Sequence, residues 1–98
     1  MRAKRVDSNQ KELVAALRAV PGVVVFHTHE LGKGFPDIIC SWRGARNMQN
    51  FLFEIKDGDK PPSARKLTPK EELFHDTWPG QVDVIETAEE ALLIMGAI

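Results

Sequence analysis

Three side chains in this sequence have the types and spacing to act together: Asp37, Glu54 and Lys56. The stretch Phe51-Leu52-Phe53-Glu54-Ile55-Lys56 reads as a strand, and side chains alternate along a strand. Glu54 and Lys56 therefore share one face with Leu52, about 7 Å apart, while Phe51, Phe53 and Ile55 face the other way. Asp37 stands at the entry to a neighbouring strand and can reach the same spot across a hairpin. Two carboxylates held close repel each other unless a cation compensates, and a divalent metal does so. The hard oxygens of Asp37, Glu54 and the Ile55 backbone carbonyl suit Mg²⁺ or Mn²⁺, with positions left for water and a phosphate oxygen. The chemistry that uses such a set is phosphodiester hydrolysis, in which Lys56 stabilises developing negative charge.

These residues need a scaffold, and the hydrophobic pattern supplies one. Leu13, Val14, Leu17 and Val20 recur at helical spacing after several N-cap candidates from Asp7 onward, and Pro21-Gly22 ends the run. Val23–Phe26 predicts a strand that continues into His27-Thr28-His29 if the chain stays extended. A glycine-bearing loop through Phe35-Pro36-Asp37 leads to a second strand, Ile38–Trp42, which pairs antiparallel with a third, Phe51–Lys56. Thr68 as N-cap, Pro69 as first helical residue and Glu71 as capping-box acid start a helix that runs to about Trp78. Val82–Ile85 predicts a fourth strand, and Thr87 with Glu90 caps a final helix over Ala88–Met95, stopped by Gly96. The expected fold is α/β in one domain over 1–98, in the order α-β-β-β-α-β-α, with a mixed four-stranded sheet flanked by helices.

Composition narrows the class. The 98 residues are 43% hydrophobic and 28% charged, a globular balance that argues against disordered and low-complexity readings. No apolar stretch approaches the roughly 18 residues of a membrane span. The basic start (Arg2, Lys4, Arg5) runs into polar residues instead of a signal-peptide core. A lone Cys40 cannot form an internal disulfide, so the expected setting is intracellular. The net charge of −1 hides segregation. Segment 1–18 sums to +3 (Arg2, Lys4, Arg5, Lys11 and Arg18 against Asp7 and Glu12). Segment 56–70 is also +3 (Lys56, Lys60, Arg65, Lys66 and Lys70 against Asp57 and Asp59), whereas 71–98 carries seven acids and no Lys or Arg.

Pro36-Asp37, sixteen intervening residues and Glu54-Ile55-Lys56 resemble the signature of the PD-(D/E)XK nucleases. Five stretches, two of them around that signature, resemble in order the VRR-NUC family of that superfamily, especially its small stand-alone viral and bacterial members. These are Asp7-x-Asn9-Gln10-x-x-Leu13-Val14-x-x-Leu17-Arg18, Gly34-Phe35-Pro36-Asp37-Ile38-Ile39, Glu54-Ile55-Lys56-Asp57-Gly58, Lys66-Leu67-Thr68-Pro69 and Val82-x-Val84-Ile85-x-Thr87-x-Glu89-Glu90-Ala91-Leu92. The resemblance implies a restriction-endonuclease-like core and a metal-dependent endonuclease acting on branched double-stranded DNA. It also implies a homodimer related to Holliday-junction resolvases, with cleavage leaving a 5′-phosphate. It makes Asp37 and Glu54 metal ligands, Lys56 the catalytic lysine and Glu12 a helix-borne acid supporting the metal directly or through water. Lys33, Lys60, Arg65, Lys66 and Lys70 become the candidate DNA contacts. Where the family often has glutamine this chain has Glu71, whose role is open between a metal contact, repulsion of phosphate and the Thr68 capping box.

Simpler roles exist for the same residues. Glu54 and Lys56 could form an exposed ion pair, Asp37 could cap the turn after Pro36, and Glu12 could complete a capping box with Asn9. A branched-DNA-binding module with an idle centre is one alternative function. The other is a His27/His29 metalloenzyme acting on a small molecule, because two histidines at i, i+2 of a strand share a side. The apolar terminal segment Ala91–Ile98 exceeds what one small sheet covers, which agrees with a dimer whose two sites match a pseudo-two-fold junction.

Overall fold

The computed structural model describes residues 8–98. Its elements are α1 (Gln10–Arg18), β1 (Val23–His27), β2 (Ile38–Trp42), β3 (Phe51–Ile55), α2 (Pro69–Thr77), β4 (Asp83–Ile85) and α3 (Ala88–Met95), with short 3-10 turns at His29–Leu31, Arg46–Met48 and Pro62–Ala64. The sheet is mixed: β1, β2 and β3 pair antiparallel in sequence order, and β4 joins β3 in parallel. The α/β class and the α-β-β-β-α-β-α order are those the hydrophobic pattern predicts.

One face of the sheet carries the core. Val23, Val25, Ile38, Cys40, Phe51, Phe53, Ile55 and Ile85 pack against Leu13, Val14 and Leu17 of α1 and Ala91, Leu92 and Met95 of α3. Phe53, Ile38, Ile55, Ile85 and Leu17 are fully buried, and burial of each such side chain contributes about 1.5–3 kcal/mol. Both predicted capping boxes form. Thr68 accepts from the Glu71 N–H while Glu71 accepts from the Thr68 N–H, and Thr87 and Glu90 do the same for α3, which Gly96 ends in the left-handed conformation. Just before the short β4, Gln81 extends the edge of β3 with its side chain: its amide accepts from the Leu52 N–H at 2.7 Å and donates to the Leu52 carbonyl at 2.9 Å.

Strand β3 ends at Ile55 instead of Lys56 and β4 starts at Asp83 instead of Val82, and two further expectations fail for identifiable reasons. The strand does not continue through His29, because Thr28 breaks register and the chain turns into the His29–Leu31 3-10 helix. Asn9 makes no side-chain cap on α1 and so no capping box with Glu12. Its amide instead donates to the carbonyls of Lys56 (3.1 Å) and Glu86 (3.3 Å), tying the start of α1 to the ends of β3 and β4. The earlier cap candidate Asp7 lies outside the described residues.

Candidate active site

The β2–β3 register pairs Ile38 with Phe53 and Ile39 with Leu52. Continued by one residue, it sets Asp37 opposite Glu54 on the sheet face away from the core. Both carboxylates are buried, at 2% and 1% exposure, and so is Lys56 at 7%. Asp37 does not merely cap its own turn: its Oδ2 accepts the Ile55 N–H across the hairpin at 2.7 Å. That bond ties one ligand candidate to the backbone of the segment carrying the other. The Lys56 ammonium stands 3.8 Å from Glu54 Oε2 and 2.9 Å from Glu71 Oε1, so the exposed ion pair conceivable from the sequence is in fact a buried cluster.

Glu71 joins this cluster from α2. It is 3% exposed, and its Oε1 accepts from both the Thr68 N–H and the Lys56 ammonium, both at 2.9 Å. One oxygen thus serves the helix cap and the lysine together. A close approach of chain segments holds α2 in place: Gly34, at φ +80°, lies so near α2 that a Cβ there would stand 2.2 Å from the Lys70 carbonyl oxygen. Phe35, three residues before Ile38, packs edge-on against Phe74 and Trp78, which stack on each other at 5.0 Å. The loop leading to Asp37 and the helix carrying Glu71 are therefore seated on one another.

Glu12 is not brought to the cluster. It lies on the exposed side of α1, two residues from each of the buried positions Gln10 and Val14. A separation of two residues turns a side chain about 200° around a helix, so the acid expected to support a metal faces away from the sheet. The inward polar residue of α1 is Gln10, 1% exposed, whose amide nitrogen lies 3.0 Å from His27 Nδ1 and 3.5 Å from His29 Nδ1. The sequence did contain that signal: Gln10 sits in the i, i+3, i+4, i+7 phase of the apolar stripe.

His27 and His29 meet edge-on with ring centroids 5.6 Å apart, although only His27 belongs to the strand. Burial lowers the His27 pKa first, the cationic Arg18 and then His29 lower it further, and Asp37 opposes them. The histidine turn adjoins the carboxylates, since the Thr28 N–H donates to the Asp37 carbonyl at 2.8 Å and the Thr28 hydroxyl to that of Pro36 at 2.7 Å. Among the described residues, no three His, Cys, Asp or Glu side chains gather as a ready-made metal cage, around the histidines or elsewhere. Two opposed carboxylates with one backbone carbonyl fit a hard cation that keeps several waters, the habit of Mg²⁺, better than an ion needing four protein ligands.

The predicted basic contacts separate into two places. Lys33 and Lys70 line one shallow groove of about 290 Å³ together with Leu73, Phe74 and Thr77. Lys60, Arg65 and Lys66 lie on the segment between β3 and α2, where Arg65 is paired with Glu86 at 3.1 Å and Lys66 is exposed. Cys40 is buried against Met95, its sulfur 3.7 Å away, and burial pushes its thiol pKa up to about 12. It is a small apolar core residue and not a nucleophile. Comparison with protein-family models, with curated proteins and with solved structures returned no match.

Proposed function

We propose that this protein is a metal-dependent endonuclease of the PD-(D/E)XK type that hydrolyses phosphodiesters in branched DNA inside the cell, as a homodimer. The observation that carries the reading is the pair of buried carboxylates, Asp37 and Glu54, set opposite each other with the Lys56 ammonium 3.8 Å from Glu54. Burying three ionisable groups costs several kcal/mol per charge unless each is compensated, and a purely structural sheet face gains nothing from them that apolar side chains would not supply. Such clusters are therefore concentrated at functional sites.

Asp37, Glu54 and the Ile55 carbonyl would hold Mg²⁺ or Mn²⁺. When bound, such an ion neutralises phosphate charge and acidifies a water beside the scissile bond. The protein's own groups do the rest. The Ile55 N–H fixes Asp37 in position, and Glu71 holds Lys56 so that its ammonium donates toward the oxygen on which negative charge grows. Phosphate contacts from Lys33, Lys70 and Lys66 would position the duplex without reading its sequence. Among the described residues no helix is long and apolar enough to cross a membrane.

The test is to incubate the full chain with labelled four-way junction, flap and linear duplex under Mg²⁺, Mn²⁺ or chelator, beside His27→Ala. The expected result is metal-dependent cutting of branched substrates that His27→Ala retains. Binding without cutting under either metal would favour an idle DNA-binding module, and loss of activity in His27→Ala with no loss of DNA binding would move the chemistry to the histidines.

A further inference from the structure

A groove of about 600 Å³ runs between α1 and the edge of the sheet. Its helix side is Gln10, Lys11, Val14, Ala15, Arg18 and Ala19, and its far wall is His27 and His29. Among the described residues that line it, none is acidic. Lys11 and Arg18 are separated by two helical turns, about 10 Å along one face. Ala15 and Ala19 contribute no bulk beyond Cβ, so the space between the two cations stays open. The Gln10 amide nitrogen lies 3.0 Å from His27 Nδ1 and 3.5 Å from His29 Nδ1. An imidazole whose Nδ1 accepts from that amide keeps its Nε2–H to donate.

We propose that this groove binds the phosphodiester backbone of the DNA flanking the cleaved position. The proposal rests on the nuclease reading and extends it to a surface other than Lys33, Lys70 and the 56–70 segment. Cations spaced along a helix face, with imidazoles opposite them and no acid among the described lining residues, match a line of phosphates and not a single small anion. Adjacency supports the assignment, because the Thr28 that follows His27 bonds the backbone of both Pro36 and Asp37. The wall of the groove is thereby tied through the backbone to the turn that carries Asp37. An added β-strand is a poorer occupant: the Arg18 guanidinium donates to the Val25 carbonyl at 2.7 Å and so covers the exposed edge of β1 that a second chain would pair with.

The experiment measures binding apart from cutting. Fluorescence anisotropy of labelled four-way junction and linear duplex, in chelator and across a salt series, compares the parent with Lys11→Ala, Arg18→Lys, Arg18→Ala and Lys11→Ala/Arg18→Ala. Each alanine should weaken binding about three-fold and the pair about ten-fold, with the salt slope falling by roughly one per cation removed. Arg18→Lys should bind like the parent, and single-turnover cleavage at saturating DNA should be unchanged in all of them. Lys11 is exposed, so Lys11→Ala stays informative even if Arg18→Ala perturbs β1. An unchanged Kd and salt slope in Lys11→Ala would overturn the groove while leaving the nuclease reading intact. A parent that binds but never cuts would overturn the nuclease reading and leave the groove. No DNA binding by the parent would remove both, and loss of self-association with DNA binding retained would make the groove a contact between copies.

Discussion

At the residue scale, Glu71 links stability and chemistry most tightly. Its capping role is local, within four residues, and is legible in Thr68-Pro69-Lys70-Glu71. Its bond to Lys56 spans 15 residues and depends on how α2 docks, which no local pattern encodes. Glu71→Gln keeps an oxygen that can accept from both the Thr68 N–H and Lys56, whereas Glu71→Ala keeps neither. We expect Glu71→Ala to lose about 2–4 kcal/mol in urea unfolding, for the lost cap and the weakened pairing of a buried cation, and Glu71→Gln to lose less than half of that. In cleavage assays Glu71→Ala should lower kcat with KM unchanged, because Lys56 is no longer held. Equal behaviour of the two variants in both measurements would contradict a positioning role. Asp37, Glu54 and Lys56 themselves were legible because strand alternation and hairpin pairing are simple geometric rules.

At the element scale, most boundaries follow from punctuation in the sequence: Pro21-Gly22, Thr68-Pro69, Thr87 with Glu90, and Gly96. Two features did not. Glu12 has the residue type that the VRR-NUC resemblance implies for a metal-supporting acid, but the apolar period of α1 turns Gln10 inward and Glu12 outward, and the period decides because Leu13, Val14 and Leu17 must all be buried. Asn9 looked like a cap but spends its amide on the ends of β3 and β4. The seating of α2 depends on Gly34, where a positive φ and a 2.2 Å approach to a backbone oxygen leave no space for a side chain. Gly34→Ala is therefore expected to cost at least about 2 kcal/mol, with faster amide exchange in α2 than in α1 or α3. Stability equal to the parent, or uniform exchange, would show that this contact does not hold the helix.

At the scale of the whole molecule, the sheet is covered on its core face by α1 and α3, yet α3 still exposes Leu93 (62%) and the chain end Ile98 (63%), with Ile94 part-exposed beside them. The sequence showed the excess of apolar residues there, and the fold shows which of them the core does not take up. If a second copy covers them, Leu93→Lys and Ile98→Lys should convert a sedimenting dimer into an 11.0 kDa monomer without loss of helical signal. A parent that sediments as a monomer at micromolar concentration would contradict the dimer. The net charge of −1 likewise says little about DNA, since cations and acids lie on different segments and some of the acid is the carboxylate pair itself.

Single-turnover cleavage of a labelled four-way junction in Mg²⁺ tests most directly whether Asp37, Glu54 and Lys56 form one hydrolytic centre, as proposed. Asp37→Asn and Lys56→Ala should each cut at least about 100-fold more slowly than the parent while binding the junction within a few-fold of it. Cleavage by Lys56→Ala at the parent's rate would contradict the account.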